Sequence, residues 1–408
     1  MVKKKIFIFS YYSYKDPIFQ SAILPYFQDF PSKEMFEFIL LSFESKENKL
    51  NKAEKESIKT SLEQHNIRWH STRWRSGRFK LFKKIIDFGI GTTYSLLLIY
   101  KYKVNFIYSE GFPGSIFGHY LSMLTQRKHI IHTFEPHAEY MVESHVWKDN
   151  DWETILLRKF MSKIAHKAHK LMTATTLYKE VITSWEVDEH KIMLVPSCVD
   201  TTIFHFDENR RISIRKRLGI DENTKVFVYL GKFGGMYTTK EYFEFAKTCI
   251  TQYPDQKVRF WVFTSEAKEI LHAYIEELGL DISLFFIQKL KKEEVPHYLS
   301  GADYGFVGIL PIPSRRYSSP IKNGEYWACG LPIIIPKGIS DDYELTQEHH
   351  LGYVLEDFQQ DSYKAVLEKI MTKKYTFSKE KISVFAKNNR GLAKFKQKYY
   401  ELFKDKSS

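Results

Sequence analysis

Lys322 and Glu325 stand three residues apart in a segment whose pattern predicts a short helix. Ser319 is the predicted N-cap, Pro320 the first helical residue, and Gly330 the end of the helix before an apolar run that predicts a buried strand. A spacing of three residues places the ammonium and the carboxylate on one helix face, about 5 Å apart along the axis. This pair is therefore the first candidate for chemistry.

A cation in the first turn of a helix opposes the helix dipole unless an anion neutralises both. A phosphate would do so, because the free N–H groups at Ile321, the positive helix end and the Lys322 ammonium could converge on it. Glu325, one turn deeper, could accept hydrogen bonds from two ribose hydroxyls. The segment therefore suits a nucleoside diphosphate, and the alternative is an exposed ion pair on an ordinary surface helix.

A second phosphate-binding feature follows the apolar strand predicted at 226–230. Gly231 and Lys232 end that strand and open a loop that also contains Gly234 and Gly235. Glycines let backbone N–H groups approach a phosphate closely, and the ammonium adds positive charge. A single Gly-Lys pair is weak evidence, but together with Lys322 and Glu325 it favours binding of a diphosphate.

The segment from Pro313 to Pro332 resembles the donor-site signature of retaining GT-B glycosyltransferases of family 4. Pro313-Ser314 matches the start of the signature, and the run from Glu325 to Pro332 matches its Glu-Tyr-x-Ala-x-Gly-x-Pro end. Tyr317 stands where the family has a first glutamate that contacts the transferred sugar. The resemblance implies a nucleotide-sugar donor, no cofactor, and retention of anomeric configuration, and the tyrosine leaves the identity of the sugar open.

The same resemblance assigns roles to individual residues. Lys232 and Lys322 would stabilise the leaving diphosphate, while Glu135 and His137, in the loop after the predicted strand 129–134, would be catalytic groups facing the donor sugar. Without the resemblance, these two residues also fit an ordinary polar rim loop. The residues assigned to substrate binding are Gly231, Gln288, Lys289, Tyr317, Ser319, Ile321 and Glu325.

Alternating strands and helices predict an α/β fold, and the resemblance makes it GT-B, with two Rossmann-like doubly wound domains facing a cleft. We expect an acceptor-side domain at 1–200, completed by a C-terminal helix at 385–408. The donor-binding domain is expected at 201–384. The start of the chain, 5–10, is predicted to be the first strand rather than a signal peptide.

The composition narrows the function further. The chain has 408 residues and a formal net charge of +12, which favours an anionic ligand or surface. It contains three scattered cysteines and no apolar run of about 18 residues, so we expect a reducing cytoplasmic location and no membrane-spanning helix. His129 and His132 would point to opposite faces of a strand, and we predict no metal site.

The segment Arg68–Lys84 mixes cations with large aromatic side chains, without an acid. Next to the predicted apolar helix 85–100, this composition favours docking on an anionic bilayer at the inner face of the plasma membrane. The alternative is a solvated helix face with its aromatic groups packed inward.

The sequence as a whole predicts a metal-independent hexosyltransferase. The acceptor would be a saccharide, a lipid-linked sugar or a protein, the family suggests a role in bacterial cell-surface polysaccharide or glycoconjugate synthesis, and no nucleic-acid partner is expected. The alternatives are a nucleotide-sugar epimerase and a non-catalytic or nucleic-acid-associated protein on the same scaffold.

Overall fold

Short apolar strands alternate with helices along the chain, and this repeat builds two parallel sheets in separate units. The computed structural model describes residues 3–73, 75, 80–372 and 376–404. Unit 1 comprises 1–196 and 392–408, and unit 2 comprises 197–391. Within the described residues, the expected pair of doubly wound α/β domains is confirmed.

The elements of unit 1 begin and end as follows. Its strands are β1 (Lys4–Ser10), β2 (Phe36–Glu44), β3 (Ile67–Arg73), β4 (Phe106–Glu110), β5 (Lys128–Thr133), β6 (Lys170–Thr173) and β7 (Ile192–Leu194). Its helices are α1 (Lys52–Glu63), α2 (Lys80–Tyr102), α3 (Gly111–Thr125), α4 (His137–Glu143), α5 (Trp152–Lys167), α6 (Thr176–Ser184) and, after unit 2, α15 (Leu392–Lys404).

The sheet of unit 1 has the strand order β3-β2-β1-β4-β5-β6-β7, and the paired strands are parallel. The order reverses between β1 and β4. Loops at the carboxyl ends of these two strands diverge to opposite sides, which leaves a crevice where ligands bind in open α/β sheets. The chain beyond Ser10 and the end of β4 at Glu110 therefore occupy the ligand-binding position of unit 1.

The two faces of this sheet are covered by different helices. Phe9 stacks on Phe117 of α3 at a ring-centroid distance of 4.3 Å, and Leu98 of α2 belongs to the same buried cluster. On the other face, the hydroxyl of Tyr108 lies 3.2 Å from that of Tyr399 in α15. Successive strand residues point to opposite faces, which is why strands buried on both sides are apolar throughout.

The elements of unit 2 begin with α7 (Glu208–Arg217). Its strands are β8 (Lys225–Leu230), β9 (Val258–Phe263), β10 (Phe285–Gln288), β11 (Tyr304–Phe306), β12 (Ile333–Pro336) and β13 (Gly352–Leu355). Its remaining helices are α8 (Lys240–Gln252), α9 (Lys268–Glu277), α10 (Val295–Gly301), α11 (Ile321–Ala328), α12 (Asp342–Glu348), α13 (Gln360–Met371) and α14 (Lys379–Arg390).

The sheet of unit 2 has the order β10-β9-β8-β11-β12-β13, again with parallel pairs. Its order reverses between β8 and β11, so the crevice of this unit lies at the carboxyl ends of those strands. Buried clusters fill both sides of the sheet: Trp327 of α11 lies in one, and Tyr242 of α8 and Tyr363 of α13 lie in the other.

The C-terminal region differs from the single return helix predicted at 385–408. α14 and α15 are separate helices, and α14 belongs to unit 2, where Phe385 packs against Trp327 at a centroid distance of 5.6 Å. The chain leaves unit 2 at Gly391, and α15 alone returns to unit 1. Unit 1 also ends its first segment at Pro196 rather than at residue 200.

None of the helices in the described part of the chain combines the length and the apolarity needed to span a membrane.

Candidate functional site

The helix α11 starts one residue later than predicted. Pro320 is the N-cap and Ile321 the first helical residue, so the prediction of Ser319 as N-cap is wrong. The reason is that the Ser319 hydroxyl is engaged elsewhere: it accepts hydrogen bonds from the Ser197 N–H at 3.1 Å and from Arg390. With no side-chain cap, the first N–H groups of α11 are not satisfied by a capping group of the protein. Gly330, with φ +72°, ends the helix as predicted.

Lys322 and Glu325 form an ion pair on α11, with Nζ 2.8 Å from Oε2. Their environments differ: the Lys322 side chain is 41% exposed, whereas the Glu325 side chain is 7% exposed. This is therefore not an ordinary surface pair, because the carboxylate is held by the protein and only the ammonium reaches outward. An incoming anion could draw the ammonium towards itself and leave the buried carboxylate free to accept other donors.

The loop after β8 presents the second ammonium. Gly231 has φ +155°, a conformation that side chains rarely adopt, and Lys232 beyond it is exposed. The Tyr229 hydroxyl donates a hydrogen bond of 2.6 Å to the carbonyl of Lys232, which fixes the turn. The Tyr229 ring in turn requires Gly308, because a Cβ at Gly308 would lie 2.2 Å from it.

Tyr326 brings α11 to the end of β8. Its hydroxyl accepts a 2.8 Å hydrogen bond from the Leu230 N–H, one residue before Gly231. Tyr326 is buried, and it directly follows Glu325 on the helix. The structure therefore joins α11, which carries the Lys322–Glu325 pair, to the end of β8 directly before the Gly231–Lys232 turn.

The segment between β11 and α11 borders the crevice of unit 2. It contains the short helix Pro313–Tyr317, from which Arg315 contacts the loop that follows β8. The Arg315 guanidinium lies 3.2 Å from the Met236 sulfur in that loop. Tyr317, which replaces the family glutamate, is half-buried, and the Arg316 guanidinium lies 5.3 Å from the centre of its ring. An aromatic group with cationic neighbours thus stands where the resemblance expects a carboxylate.

Gln288 and Lys289 lie at the carboxyl end of β10, two strands from β8 in the same sheet. The Gln288 carbonyl accepts a 3.2 Å hydrogen bond from Thr264 N–H at the end of β9, and Lys289 is exposed. These residues therefore line the same sheet edge as Lys232, in the order β10, β9, β8.

A buried polar network supports the start of α11. Arg390, at the end of α14, donates to Asp342, to Ser319 and to the Ser197 carbonyl. Asp342 also accepts a 2.7 Å hydrogen bond from Asn323 in the first turn of α11. Arg390 is 3% exposed and Asp342 is fully buried. This network could not be predicted from the sequence, because no local pattern links residues that are 48 positions apart.

Glu135 and His137 lie in unit 1, where the chain passes from β5 into α4. His137 is the first residue of α4, and its ring stacks 6.2 Å from that of Tyr140. Burial lowers the pKa of His137 to about 4, so the imidazole is neutral at pH 7. Burial raises the pKa of the Tyr12 phenol, and the nearby Glu135 carboxylate adds to this shift.

Glu110 is a further titratable group at this edge that the sequence analysis did not select. It ends β4 and is almost fully buried. Burial raises the pKa of Glu110 well above its usual range, and the Ser10 hydroxyl opposes this only in part. A buried carboxyl group is not visible in a sequence, so the only available signal was its position at a strand end.

The histidines considered as metal ligands have structural partners. His129 Nε2 lies 2.7 Å from the Ser109 hydroxyl, whereas His132 Nδ1 lies 3.0 Å from the Tyr108 hydroxyl. Adjacent strand residues point to opposite faces, so the two imidazoles are separated by the sheet. In the part of the chain that the structure covers, no group of three histidine, cysteine or acidic residues could hold a metal ion.

The basic segment 68–84 is described only in part. Residues 74 and 76–79 lie outside the described residues, as do the side chains of 80–84. Arg68 pairs with Glu37, Arg75 pairs with Asp87, and the Trp69 indole is buried and donates a 2.8 Å hydrogen bond to Ser42. These three members of the segment therefore have internal roles.

Comparison with known proteins gives a family match for most of unit 2 and a fold for the whole chain. Residues 210–391 match the family profile described as glycosyl transferases group 1. No curated protein sequence is significantly similar to the chain. Among solved structures, HepE from Anabaena in complex with UDP and glucose is 13% identical, with 98% of this chain and 99% of that chain covered and a TM-score of 0.70.

Two further structures agree with this result. Sucrose-phosphate synthase from Thermosynechococcus elongatus is 13% identical over 98% of this chain and 99% of its own, with a TM-score of 0.71. A glycosyltransferase from Rickettsia africae is 13% identical over the whole of both chains, with a TM-score of 0.69. At this identity the structures establish the fold, which is GT-B.

Proposed function

We propose that this chain, whose second unit carries the glycosyl transferases group 1 region, transfers a sugar from a nucleoside diphosphate sugar to an acceptor. The observation that supports the proposal is the hydrogen bond between Tyr326 and Leu230, which joins α11, with its Lys322–Glu325 pair, to the end of β8 directly before Gly231 and Lys232. Such a set matches a diphosphate and an adjoining ribose. HepE was solved with UDP and with UDP-glucose, so uridine sugars are the first donors to test.

The difficult step of such a transfer is the departure of the diphosphate. The bond between the anomeric carbon and the diphosphate oxygen breaks, and its electron pair stays on the oxygen while the carbon becomes electron-deficient. The acceptor oxygen bonds to that carbon, and its proton leaves with the nucleoside diphosphate. Lys232, Lys322 and the N–H groups at Ile321 would stabilise the charge that builds up on the diphosphate oxygen. The N–H groups are held by the helix before the reaction, so they need little reorganisation, and the proposal involves no metal.

The remaining roles follow the resemblance. Gln288 and Lys289 would contact the base, Ser319 and Tyr317 would line the donor site, and the configuration would be retained. Glu135 and His137 are the unit 1 candidates for contacting the transferred sugar. The acceptor would be a saccharide, a lipid-linked sugar or a protein, in the synthesis of a bacterial surface polysaccharide or glycoconjugate in the cytoplasm at the inner membrane face. The positively charged segment 68–84 would add attraction to anionic lipid.

The proposal is tested by incubating the protein with a panel of uridine, guanosine and adenosine diphosphate sugars. Slow release of nucleoside diphosphate, accelerated by an acceptor and lost in Lys322→Ala, is the expected result. Conversion of the sugar to an epimer without nucleotide release would contradict transfer. So would the absence of turnover and of nucleotide binding across the panel.

A further inference from the structure

Helices α2, α3 and α5 form one layer on the same side of the unit 1 sheet. α3 packs against both of the others, and Phe88 of α2 lies 4.1 Å from Phe117 of α3 between ring centroids. Phe117 and Leu121 point from α3 into the core. The opposite side of this layer is the surface of unit 1, and its side chains are unusual for a surface that faces water.

The outward face of α3 has no charge. Residues Ile116, Tyr120, Met123 and Leu124 follow one another at intervals that place them on one face, and α3 contains no charged residue. Met123 is 57% exposed and Leu124 is 59% exposed. A helix at a water surface normally presents polar and charged side chains on its outward face. α3 instead carries apolar side chains on its outward face as well as on the face that packs into the core.

The neighbouring helices extend this apolar surface. Leu97 and Tyr100 of α2 are exposed, as are Trp152 and Ile155 of α5. More than half of the large apolar side chains that are exposed among the described residues lie on these three helices. Single exposed apolar side chains need no explanation, but a group on adjacent helices marks a surface that contacts a partner or a membrane.

Cations border this surface on α5 and α2. Lys159, Lys163 and Lys167 lie four residues apart on α5, so they share a face, and all three are exposed. Lys163 and Lys167 are near enough to α3 that, after burial, they contribute to the lowered pKa of His119. Lys101 at the end of α2 is also exposed.

Acidic groups on the three helices are few and mostly engaged. Among their described side chains, Asp87 on α2 is buried and paired with Arg75, and Glu153 on α5 is half-buried. Near the start of α5, Asp149 is paired with Arg158 at 3.0 Å. The apolar surface is therefore bordered by positive charge, and its chemical complement is an apolar layer under anionic headgroups.

We propose that this surface, the α2–α3–α5 face, docks on an anionic lipid bilayer. Its apolar side chains would enter the boundary between headgroups and acyl chains, and the lysines would remain at the headgroups. A symmetric dimer through the same face would place like-charged borders against each other, and a nucleic acid would not cover an uncharged apolar centre. The inference extends the membrane part of the proposed function to a surface distinct from segment 68–84, and it does not depend on the transfer reaction.

The test is co-sedimentation of the full chain with vesicles. Phosphatidylcholine vesicles with and without about 30% phosphatidylglycerol separate apolar from electrostatic contributions. We expect the wild type to bind the anionic vesicles, and Leu97→Gln/Met123→Gln/Leu124→Gln to bind at least tenfold more weakly. The matched control is Ile212→Gln/Ile270→Gln/Val384→Gln in unit 2, whose residues are 53%, 53% and 55% exposed; it should bind like the wild type.

A second variant tests the charged border. Lys159→Gln/Lys163→Gln/Lys167→Gln should lose at least tenfold in binding to anionic vesicles at about 0.1 M salt, since each cation near such a surface contributes roughly fivefold. The melting temperatures of both variants should match that of the wild type. Nucleoside diphosphate binding in solution should also be unchanged, so a failure of the proposed function and a failure of docking give different results.

Three outcomes would overturn the inference. The wild type could fail to bind anionic vesicles, or the apolar variant could bind them as well as the control does. Light scattering could instead show that the wild type is a dimer that the apolar variant dissociates, which would assign the face to a second copy of the chain.

Discussion

At the scale of single residues, the proposed donor site depends on the different exposure of two oppositely charged side chains. Lys322 reaches solvent from the first turn of α11, while Glu325 is buried one turn further along. Each can therefore bind a different part of one ligand. The ion pair between them in the free protein holds both groups in position until an anion arrives.

Replacing Lys322 and Glu325 separately tests whether they bind different parts of the ligand. Lys322→Ala should weaken nucleoside diphosphate binding by about 10- to 100-fold, because a charge-assisted contact of about 1.5–3 kcal/mol is lost. Glu325→Gln should weaken nucleoside binding less and leave inorganic pyrophosphate binding unchanged. Titration calorimetry measures both quantities.

The control for Lys322→Ala is Lys364→Ala on α13. Lys364 also belongs to a pair three residues apart, with Asp361 at 3.7 Å, and its side chain is 43% exposed. We expect no change in affinity for this variant. Equal losses in the two variants would show that net charge, rather than the site, attracts the nucleotide.

Glu110 predicts a pH dependence of stability. Its raised pKa means that the folded protein retains a proton that the unfolded chain loses above about pH 4.3, so wild-type stability should fall as pH rises from there towards the raised pKa. Glu110→Gln cannot ionise. Its free energy of unfolding, measured in urea, should be close to that of the wild type near pH 4 and exceed it at pH 8. Parallel pH profiles for the two proteins would show that Glu110 is ionised in the folded state.

At the scale of elements, α11 is held in position from both of its ends. Tyr326 joins it to β8, and the buried Arg390–Asp342 pair joins its first turn to α14 through Asn323. The proposed donor site is therefore positioned by contacts between residues distant in the sequence as well as by the local signature.

Removing one partner of the buried Arg390–Asp342 pair should lower the free energy of unfolding. Arg390→Met leaves the Asp342 carboxylate buried without its cation, and we expect a loss of about 3–5 kcal/mol in unfolding free energy. The double variant Arg390→Met/Asp342→Leu should recover most of this loss, because apolar replacement of a buried pair is often neutral. Urea unfolding at pH 7 measures both. The exposed pair Lys59–Glu56 provides the control, since Lys59→Met should change stability by less than about 1 kcal/mol.

The sequence was informative where the chemistry is local. The strand–glycine loop–helix pattern at 226–235 and the end of α11 at Gly330 could be predicted because a turn or a helix end needs particular residues nearby. The prediction of Ser319 as the N-cap of α11 was wrong because its hydroxyl accepts a hydrogen bond from Arg390, a residue 71 positions away. Burial of Glu110 likewise results from tertiary packing, which no local pattern encodes.

At the scale of the molecule, the two units differ in how their chain segments are arranged. Unit 2 is one continuous segment, 197–391, with buried clusters on both sides of its sheet. Unit 1 needs both ends of the chain, because Tyr399 and Phe403 of α15 pack against its sheet.

This arrangement predicts that residues 197–391 fold when expressed alone. We expect a cooperative urea transition and binding of nucleoside diphosphate within about tenfold of the full chain, because all the residues proposed to hold the diphosphate lie in this segment. The segment 1–196, which lacks α15, should show no cooperative transition in urea. A folded segment 197–391 that fails to bind any nucleoside diphosphate would contradict the assignment of the donor to unit 2.

The most direct test of the central claim is a crystal structure of the protein soaked with UDP. We predict density for a diphosphate in contact with Lys232 Nζ, Lys322 Nζ and the N–H groups at the start of α11, with a ribose hydroxyl donating to Glu325. A nucleotide bound away from the β8–β11 crevice, or one whose diphosphate contacts neither lysine, would contradict the account.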